Sequence, residues 1–169
     1  MRTWIKRIVI GLAVVLVAAQ FIPMEKTNPA IDPSKTIYAS LPVPTHVKNV
    51  FERSCKDCHS NETVWPWYSR LAPVSWVVVR DVNKGRVGLN LSEWGTYAEK
   101  RTEQKVKEIC DQLGSGEMPD WKYTLIHRQA KLTDDERTAV CAWADATRKA
   151  LAAAPAAAPA GTASIPLRK

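Results

Sequence analysis

Two cysteines and a histidine stand close together at Cys55-Lys56-Asp57-Cys58-His59. The run has the form C-x-x-C-H, which is the attachment sequence for c-type haem. Two thiols one helical turn apart can each add to a haem vinyl group, and the adjacent histidine can then bind the iron. The run therefore predicts one covalent haem c per chain, with Cys55, Cys58 and His59 as cofactor-binding residues and His59 as a metal ligand.

Other sites built from these residues fit the sequence less well. A thioredoxin-like dithiol would need a βαβ setting, which the sequence does not indicate. A zinc site would need a fourth ligand, and no second C-x-x-C or H-x₃₋₅-H pair occurs. A structural disulfide between Cys55 and Cys58 is the simplest alternative.

The second axial position of the iron would need a ligand from elsewhere in the chain. Met118, the only methionine beyond residue 24, lies in the run Gly114-Ser115-Gly116-Glu117-Met118-Pro119. The glycines permit tight turns and Pro119 stiffens the exit, so the thioether can be held at a fixed depth. Met118 is therefore the predicted second metal ligand, although a lone methionine can also simply fill a gap in a core.

The other two histidines have less direct roles. His127 is the rival for the second axial position, and it can instead form a hydrogen bond that fixes the loop after Met118. His46 is expected at the surface.

Aromatic and basic residues could complete a haem pocket. The aromatic candidates, which the sequence divides between core and haem wall, are Trp65, Trp67, Tyr68, Trp76, Trp94 and Trp121. The candidate partners of the haem propionates are Arg70, Arg80 and Arg86, although a solvated surface position is the simpler expectation for each.

Cys110 and Cys141 lie on or beside the apolar stripes of two predicted helices. In an oxidising compartment a disulfide between them would tie the two helices together. Two buried free thiols are the alternative.

The amino-terminal segment resembles a membrane or export signal. Arg2, Lys6 and Arg7 precede the uncharged run of residues 8–24, which predicts a signal anchor over residues 1–24 with the following chain in the periplasm. The predicted location is thus the inner membrane, as a single-pass protein. Cleavage after the small residues near Ala19 would instead give a soluble periplasmic protein.

Three further segments follow this predicted anchor. Residues 25–44 are rich in proline and are expected to form an extended tether. Residues 45–149 are the expected haem domain. Residues 150–169, an Ala/Pro-rich tract, are expected to be a disordered tail.

Helical periodicity predicts an all-α haem domain. Thr45 is a candidate N-cap for a helix that presents Val47, Val50 and Phe51, and Thr96–Glu99 and Thr133–Glu136 have capping-box spacing. Residues 73–82 suit a helix or a strand equally, and residues 83–85 are expected to form a turn or cap.

The net charge of the chain, +7, does not belong to this domain. Residues 36–149 hold 17 Lys and Arg against 15 Asp and Glu, a formal charge of +2. Two ionised propionates would bring this close to zero. A nucleic-acid partner is therefore not expected.

Several short segments of the sequence, in their order along the chain, resemble those of the haem-binding domain family of small bacterial monohaem proteins. They are CKDCHSNETVWPWYSRLAPVSWVVVRDVNKGR, LNLSEW, GEMPDWKY and His127–Ala130, and the similarity covers about residues 36–148. The resemblance implies a cytochrome-c-like helical fold, a periplasmic setting, covalent haem on Cys55, Cys58 and His59, and Met118 as the other ligand.

These observations lead to a functional expectation. The chain is expected to be a membrane-tethered periplasmic c-type cytochrome that transfers electrons. Its partners would be the cytochrome c maturation machinery and a redox protein that the sequence does not identify. The alternatives are a haem enzyme or a gas or redox sensor with an open or displaceable sixth iron position, and a module that uses haem mainly to fold.

Overall fold

Helices form the regular structure of residues 2–153, the part of the chain that the computed structural model describes. The α-helices are α1 (Arg2–Ala19), α2 (Ile37–Ser40), α3 (Thr45–Ser54), α4 (Lys56–His59), α5 (Val74–Gly88), α6 (Glu99–Gly114), α7 (Trp121–Ile126) and α8 (Asp134–Ala153). Short 3₁₀ helices cover Pro33–Lys35, Trp67–Arg70, Trp94–Thr96 and Arg128–Ala130. Since residues 2–153 contain no strand, the all-α class is confirmed, whereas the cytochrome-c-like arrangement stays a prediction. Residues 154–169 of the expected tail lie outside the described residues.

The hydrophobic core forms where α6 and α3 pack against α8. Phe51 of α3 meets Trp143 of α8 edge to face, with ring centroids 5.4 Å apart. The buried apolar side chains of this core are Ile37, Leu41, Val47, Val50, Phe51, Leu91, Trp94, Val106, Ile109, Leu113, Leu132, Val140, Trp143 and Ala144.

Local signals in the sequence located the starts of α3, α5, α6 and α8 to within a few residues. Thr133 and Glu136 form the predicted capping box, because the backbone N–H of each donates to the side chain of the other, at 2.9 and 3.2 Å. The box predicted at Thr96–Glu99 is absent. Thr96 belongs to a 3₁₀ helix instead, and α6 begins at Glu99. Thr45 is the first residue of α3 rather than its cap.

The amino-terminal helix is shorter than the sequence predicts. No described helix has both the length and the apolar character needed to cross a bilayer. The uncharged part of α1, residues 8–19, is about 18 Å long at 1.5 Å per residue, against about 30 Å of hydrocarbon. Beyond it, the Gln20 side chain donates to the Ala72 carbonyl oxygen at 3.0 Å and accepts from the Ala72 N–H at 3.0 Å. The predicted single-pass location in the inner membrane is therefore wrong.

Residues 25–44, expected to form a tether, contribute to the core. Ile37 is fully buried, and its N–H donates to the Leu91 carbonyl oxygen at 2.8 Å. The Asn28 side chain donates to the Thr63 carbonyl oxygen at 2.9 Å. This proline-rich stretch thus follows the surface of the helical domain and anchors two of its own apolar side chains, Ile37 and Leu41, in it.

Helix α5 continues through the residues expected to form a turn. Val74–Gly88 is a single helix, so the ambiguity over residues 73–82 resolves to helix and the turn predicted at residues 83–85 is wrong. Gly85 has a packing role there. A Cβ atom on Gly85 would lie 2.4 Å from the carbonyl oxygen of Cys58, so only glycine lets α5 approach α4 this closely.

A disulfide joins the two longest helices of the core. Cys110 of α6 and Cys141 of α8 are bonded, with Cα atoms 4.9 Å apart. The predicted bridge is confirmed. It closes a loop across a sequence separation of 31 residues.

We expect removal of this bridge to lower the free energy of unfolding by about 3–4 kcal/mol, since the open chain gains conformational entropy when unfolded. Urea unfolding of the full chain measures the loss. Cys110→Ala, Cys141→Ala and the double variant should be equally destabilised, because each breaks the same bond. Additive losses in the double variant would contradict this account.

We expect Gly85→Ala to destabilise the protein by about 1–3 kcal/mol, because the new methyl group meets backbone that cannot move cheaply. The matched control is Gly114→Ala, which adds a methyl group at a helical glycine with nothing within 4 Å. That control should change stability by no more than about 1 kcal/mol. Equal losses in the two variants, measured by thermal unfolding, would refute the close-approach role of Gly85.

Candidate cofactor site

One cavity of about 490 Å³ is lined by all four residues that the sequence predicts to bind the cofactor. Cys55, Cys58 and His59 line it from the α3–α4 junction, and Met118 lines it from the loop after α6. Its apolar walls come from α3, α6 and the segment after α5: Val50, Phe51, Leu89, Leu91, Ile109 and Leu113. The volume lies within the range of small-molecule and cofactor pockets.

The two thiols are held on one tight turn. The N–H groups of Cys58 and His59 both donate to the Cys55 carbonyl oxygen, at 3.2 and 2.9 Å. Burial raises the pKa of Cys55 to about 12, and burial with the nearby Asp57 carboxylate raises that of Cys58 to about 11. Both are unbridged thiols and stay protonated at neutral pH.

The imidazole of His59 is oriented by the backbone of α5 and the residue that follows it. Its Nδ1 lies 3.0 Å from the carbonyl oxygen of Gly85 and 3.1 Å from that of Leu89. Because carbonyl oxygens only accept, Nδ1 carries the proton and the Nε2 lone pair is free for a metal. Burial lowers the pKa of His59 and outweighs these two hydrogen bonds, which favours the neutral ring that a metal needs.

Polar contacts hold the loop that follows His59. Arg86 of α5 donates to the Ser60 carbonyl oxygen at 2.7 Å and to the Thr63 hydroxyl at 2.8 Å. It also donates to the Thr27 carbonyl oxygen and the Asn28 side chain, at 2.8 and 2.9 Å. Arg86 therefore binds backbone and side-chain oxygens and does not line the cavity. This position differs from that of a propionate partner, which was one of its candidate roles.

The remaining residues suggested for the cavity wall lie elsewhere. Arg70 and Arg80 are exposed, and Arg80 pairs with Asp81 at 2.9 Å. Trp94 is buried in the core, Trp67 and Trp121 are exposed, and no tryptophan lines the cavity. The aromatic side chains that do line it are Phe51 and Tyr123.

The loop that carries Met118 is fixed by a glycine and by the core. Gly116 has a φ of +75°, a left-handed conformation that favours glycine. The Met118 N–H donates to the Gln112 carbonyl oxygen at 3.2 Å, and its partly buried side chain packs on the core. The thioether therefore lies at the cavity on a restrained backbone.

His127 lies outside the lining of the cavity. Its Nε2 is hydrogen-bonded to the Tyr68 hydroxyl at 2.6 Å, and its ring stacks on Tyr123 with centroids 4.4 Å apart. The Tyr123 hydroxyl in turn donates to Asp57 at 2.8 Å. His127 thus joins the end of α7 to the 3₁₀ helix Trp67–Arg70, and His46 is exposed as expected.

The donors in this cavity suit haem better than a bare metal ion. Within residues 2–153 no group of three or more His, Cys, Asp or Glu could hold a metal ion by itself. The apolar cavity offers a free imidazole Nε2, a thioether and two thiols. These groups suit an iron that is already held in a porphyrin ring. The residues present therefore fit haem.

Comparisons with known proteins identify one family. No curated protein and no solved structure matches the chain. The family model described as the haem-binding domain matches residues 14–146, which include both cavity cysteines, His59 and Met118. Because this match spans most of the sequence, the chain belongs to the haem-binding domain family.

Proposed function

We propose that this haem protein is a monohaem c-type cytochrome that transfers electrons. One haem c would be attached through Cys55 and Cys58, with His59 and Met118 as the two iron ligands. The observation that carries the proposal is that these four residues, from two segments far apart in the sequence, line the same apolar cavity. When bound, the haem supplies an iron that exchanges one electron between Fe(III) and Fe(II).

The attachment turn supports covalent binding. Cys55 and Cys58 lie on one turn and are unbridged, so the sulfur and hydrogen of each thiol can add across a vinyl group of the haem. The fixed Nδ1 of His59 directs the unprotonated Nε2 away from the two backbone carbonyl groups.

The Met118 loop supports electron transfer over catalysis. A thioether ligand raises the reduction potential relative to a second histidine, and a filled sixth position leaves no vacancy for a substrate. Packing of Met118 on the core and its backbone bond to Gln112 would keep the ligand in place in both oxidation states. An electron carrier benefits from such a restrained site because little has to move when the charge changes.

The disulfide supports maturation in an oxidising compartment. Cys110 and Cys141 are paired while Cys55 and Cys58 are not, so the chain separates a structural pair from an attachment pair. Attachment would require cytochrome c maturation machinery, and turnover would require a redox partner protein.

Covalent attachment is tested by acid–acetone extraction. We expect the haem to stay with the wild-type protein, to become extractable when Cys55 and Cys58 are both replaced by alanine, and to be retained when Cys110 and Cys141 are both replaced. The last variant is the matched control, because it also removes two cysteines. Complete extraction from the wild-type protein would sink the c-type assignment.

Ligation by Met118 is tested by spectroscopy of Met118→Ala. We expect loss of the weak long-wavelength band of methionine–iron ligation in the ferric protein, a lower midpoint potential, and new binding of carbon monoxide. His127→Phe, which keeps an aromatic ring on Tyr123, should retain the wild-type spectrum.

Two outcomes would overturn this ligand assignment. The wild-type band could persist in Met118→Ala, or the His127 variant could be the one that loses it. Rapid binding of carbon monoxide by the wild-type protein would favour a sensor or enzyme with an open sixth position.

A further inference from the structure

One charged residue is buried in the described part of the chain. Lys105 of α6 is 4% exposed and lines the cavity, whereas the other buried polar residues among 2–153 are uncharged. Burial of an ammonium group is costly unless nearby anions and hydrogen bonds compensate for lost water. A lysine at this position therefore needs a partner inside the cavity.

The protein satisfies only part of the hydrogen-bonding capacity of Lys105. The Lys105 ammonium group forms one hydrogen bond among the described residues, to the carboxylate of Glu108. Glu108 is half exposed, and Arg101 also lies 4.0 Å from it. Since an ammonium group has three N–H donors, two of those on Lys105 remain for another acceptor.

The other charges at the cavity are already accounted for. The charged side chains that line it besides Lys105 are Asp81, Lys84, Glu108 and Asp120. Lys122 pairs with both aspartates, at 3.1 and 2.9 Å, and Lys84 is exposed to water. Lys105 is thus the buried cation available to an anionic group that enters the cavity.

We propose that Lys105 binds a propionate carboxylate of the haem and holds it ionised. The proposal rests on haem occupying this cavity, as in the proposed function, but not on how the haem is attached. Haem brings two carboxylates on an otherwise apolar ring, and a buried ammonium group with free donors complements one of them. The positive charge would also favour Fe(II) over Fe(III) and so raise the reduction potential.

The same contact would prevent reduction of the iron from being coupled to protonation of the propionate. A propionate paired with Lys105 stays ionised at neutral pH in both oxidation states, because a neighbouring cation favours the charged carboxylate. Without the lysine, desolvation favours the protonated form. Reduction of the iron, which removes a positive charge, would then draw a proton onto the propionate, so the midpoint potential would fall as pH rises.

The experiment compares midpoint potentials of the holoproteins between about pH 5 and pH 8, where a carboxyl group of raised pKa titrates. Lys105→Met should show a new downward slope with pH, so that its potential falls below that of wild type towards pH 8, where the propionate is ionised without its partner. Lys105→Arg should restore the wild-type behaviour. Lys107→Met is the matched control. It removes the same charge from an exposed position on the same helix, where Lys107 pairs with Asp111. This control should behave as wild type.

Among the carboxylates that line the cavity, Glu108 is the one that binds Lys105, so its titration could also produce the slope. The double variant Lys105→Met/Glu108→Gln should keep the slope if a propionate is responsible. Loss of the slope in the double variant, or a Lys105→Met protein that matches the Lys107→Met control, would overturn the proposal.

Failure to assemble is also informative. If Lys105→Met accumulates no holoprotein but Lys105→Arg does, the charge is needed to hold the haem, as proposed. If neither variant accumulates while Lys107→Met does, the role of Lys105 is packing and the proposal is wrong. Acid–acetone extraction of the wild-type protein tests covalent attachment separately, since midpoint potentials can be compared whether or not the haem is covalent.

Discussion

The contact between α5 and the cysteine turn is the constraint on which the rest of the site depends. Because residue 85 has no side chain, the backbone of α5 reaches Cys58, and the Gly85 carbonyl oxygen comes within 3.0 Å of His59 Nδ1. The same approach brings the Leu89 carbonyl oxygen within 3.1 Å of that nitrogen. Tautomer and ring orientation of His59 are thus set by main-chain atoms, which a surface substitution does not readily displace. Arg86, next to Gly85, then holds the loop after His59 through Ser60 and Thr63.

The Met118 side of the cavity depends on a different part of the fold. Its loop leaves α6 at Gly114, and α6 is bonded to α8 through Cys110 and Cys141. The cavity therefore lies between a unit made of α4 and α5 and one made of α6 and α8, with α3 in contact with both α4 and α8. This division explains why residues so far apart in the sequence line one cavity.

Features that depend on neighbouring residues were predictable from the sequence, and those that depend on distant ones were not. The Thr133–Glu136 capping box and the apolar faces of α3 and α6 follow from local spacing and helical period. The Cys110–Cys141 bridge joins residues far apart in the sequence, and the sequence alone leaves two free thiols as the alternative. Just after the end of α1, Gln20 binds Ala72, a contact that no local pattern reveals. Gly85 resembles a turn residue until its contact with Cys58 is known, and helical period alone could not show that Lys105, beside Val106 on the apolar face, points into a cavity.

The different positions of Arg86 and Lys105 follow from the chemistry of their side chains. A guanidinium group carries five donors in a fixed plane, so Arg86 can satisfy four separate oxygens where α5, the loop after His59 and residues 27–28 meet. An ammonium group is a compact charge on a flexible stem, which suits carboxylates that approach it in a small cavity. The domain outside the amino-terminal segment and the tail is nearly neutral, with 17 basic and 15 acidic residues over residues 36–149. The charge of one buried lysine is therefore a large part of the net charge of this domain. The protein interior would screen its effect on a bound cofactor far less than water does.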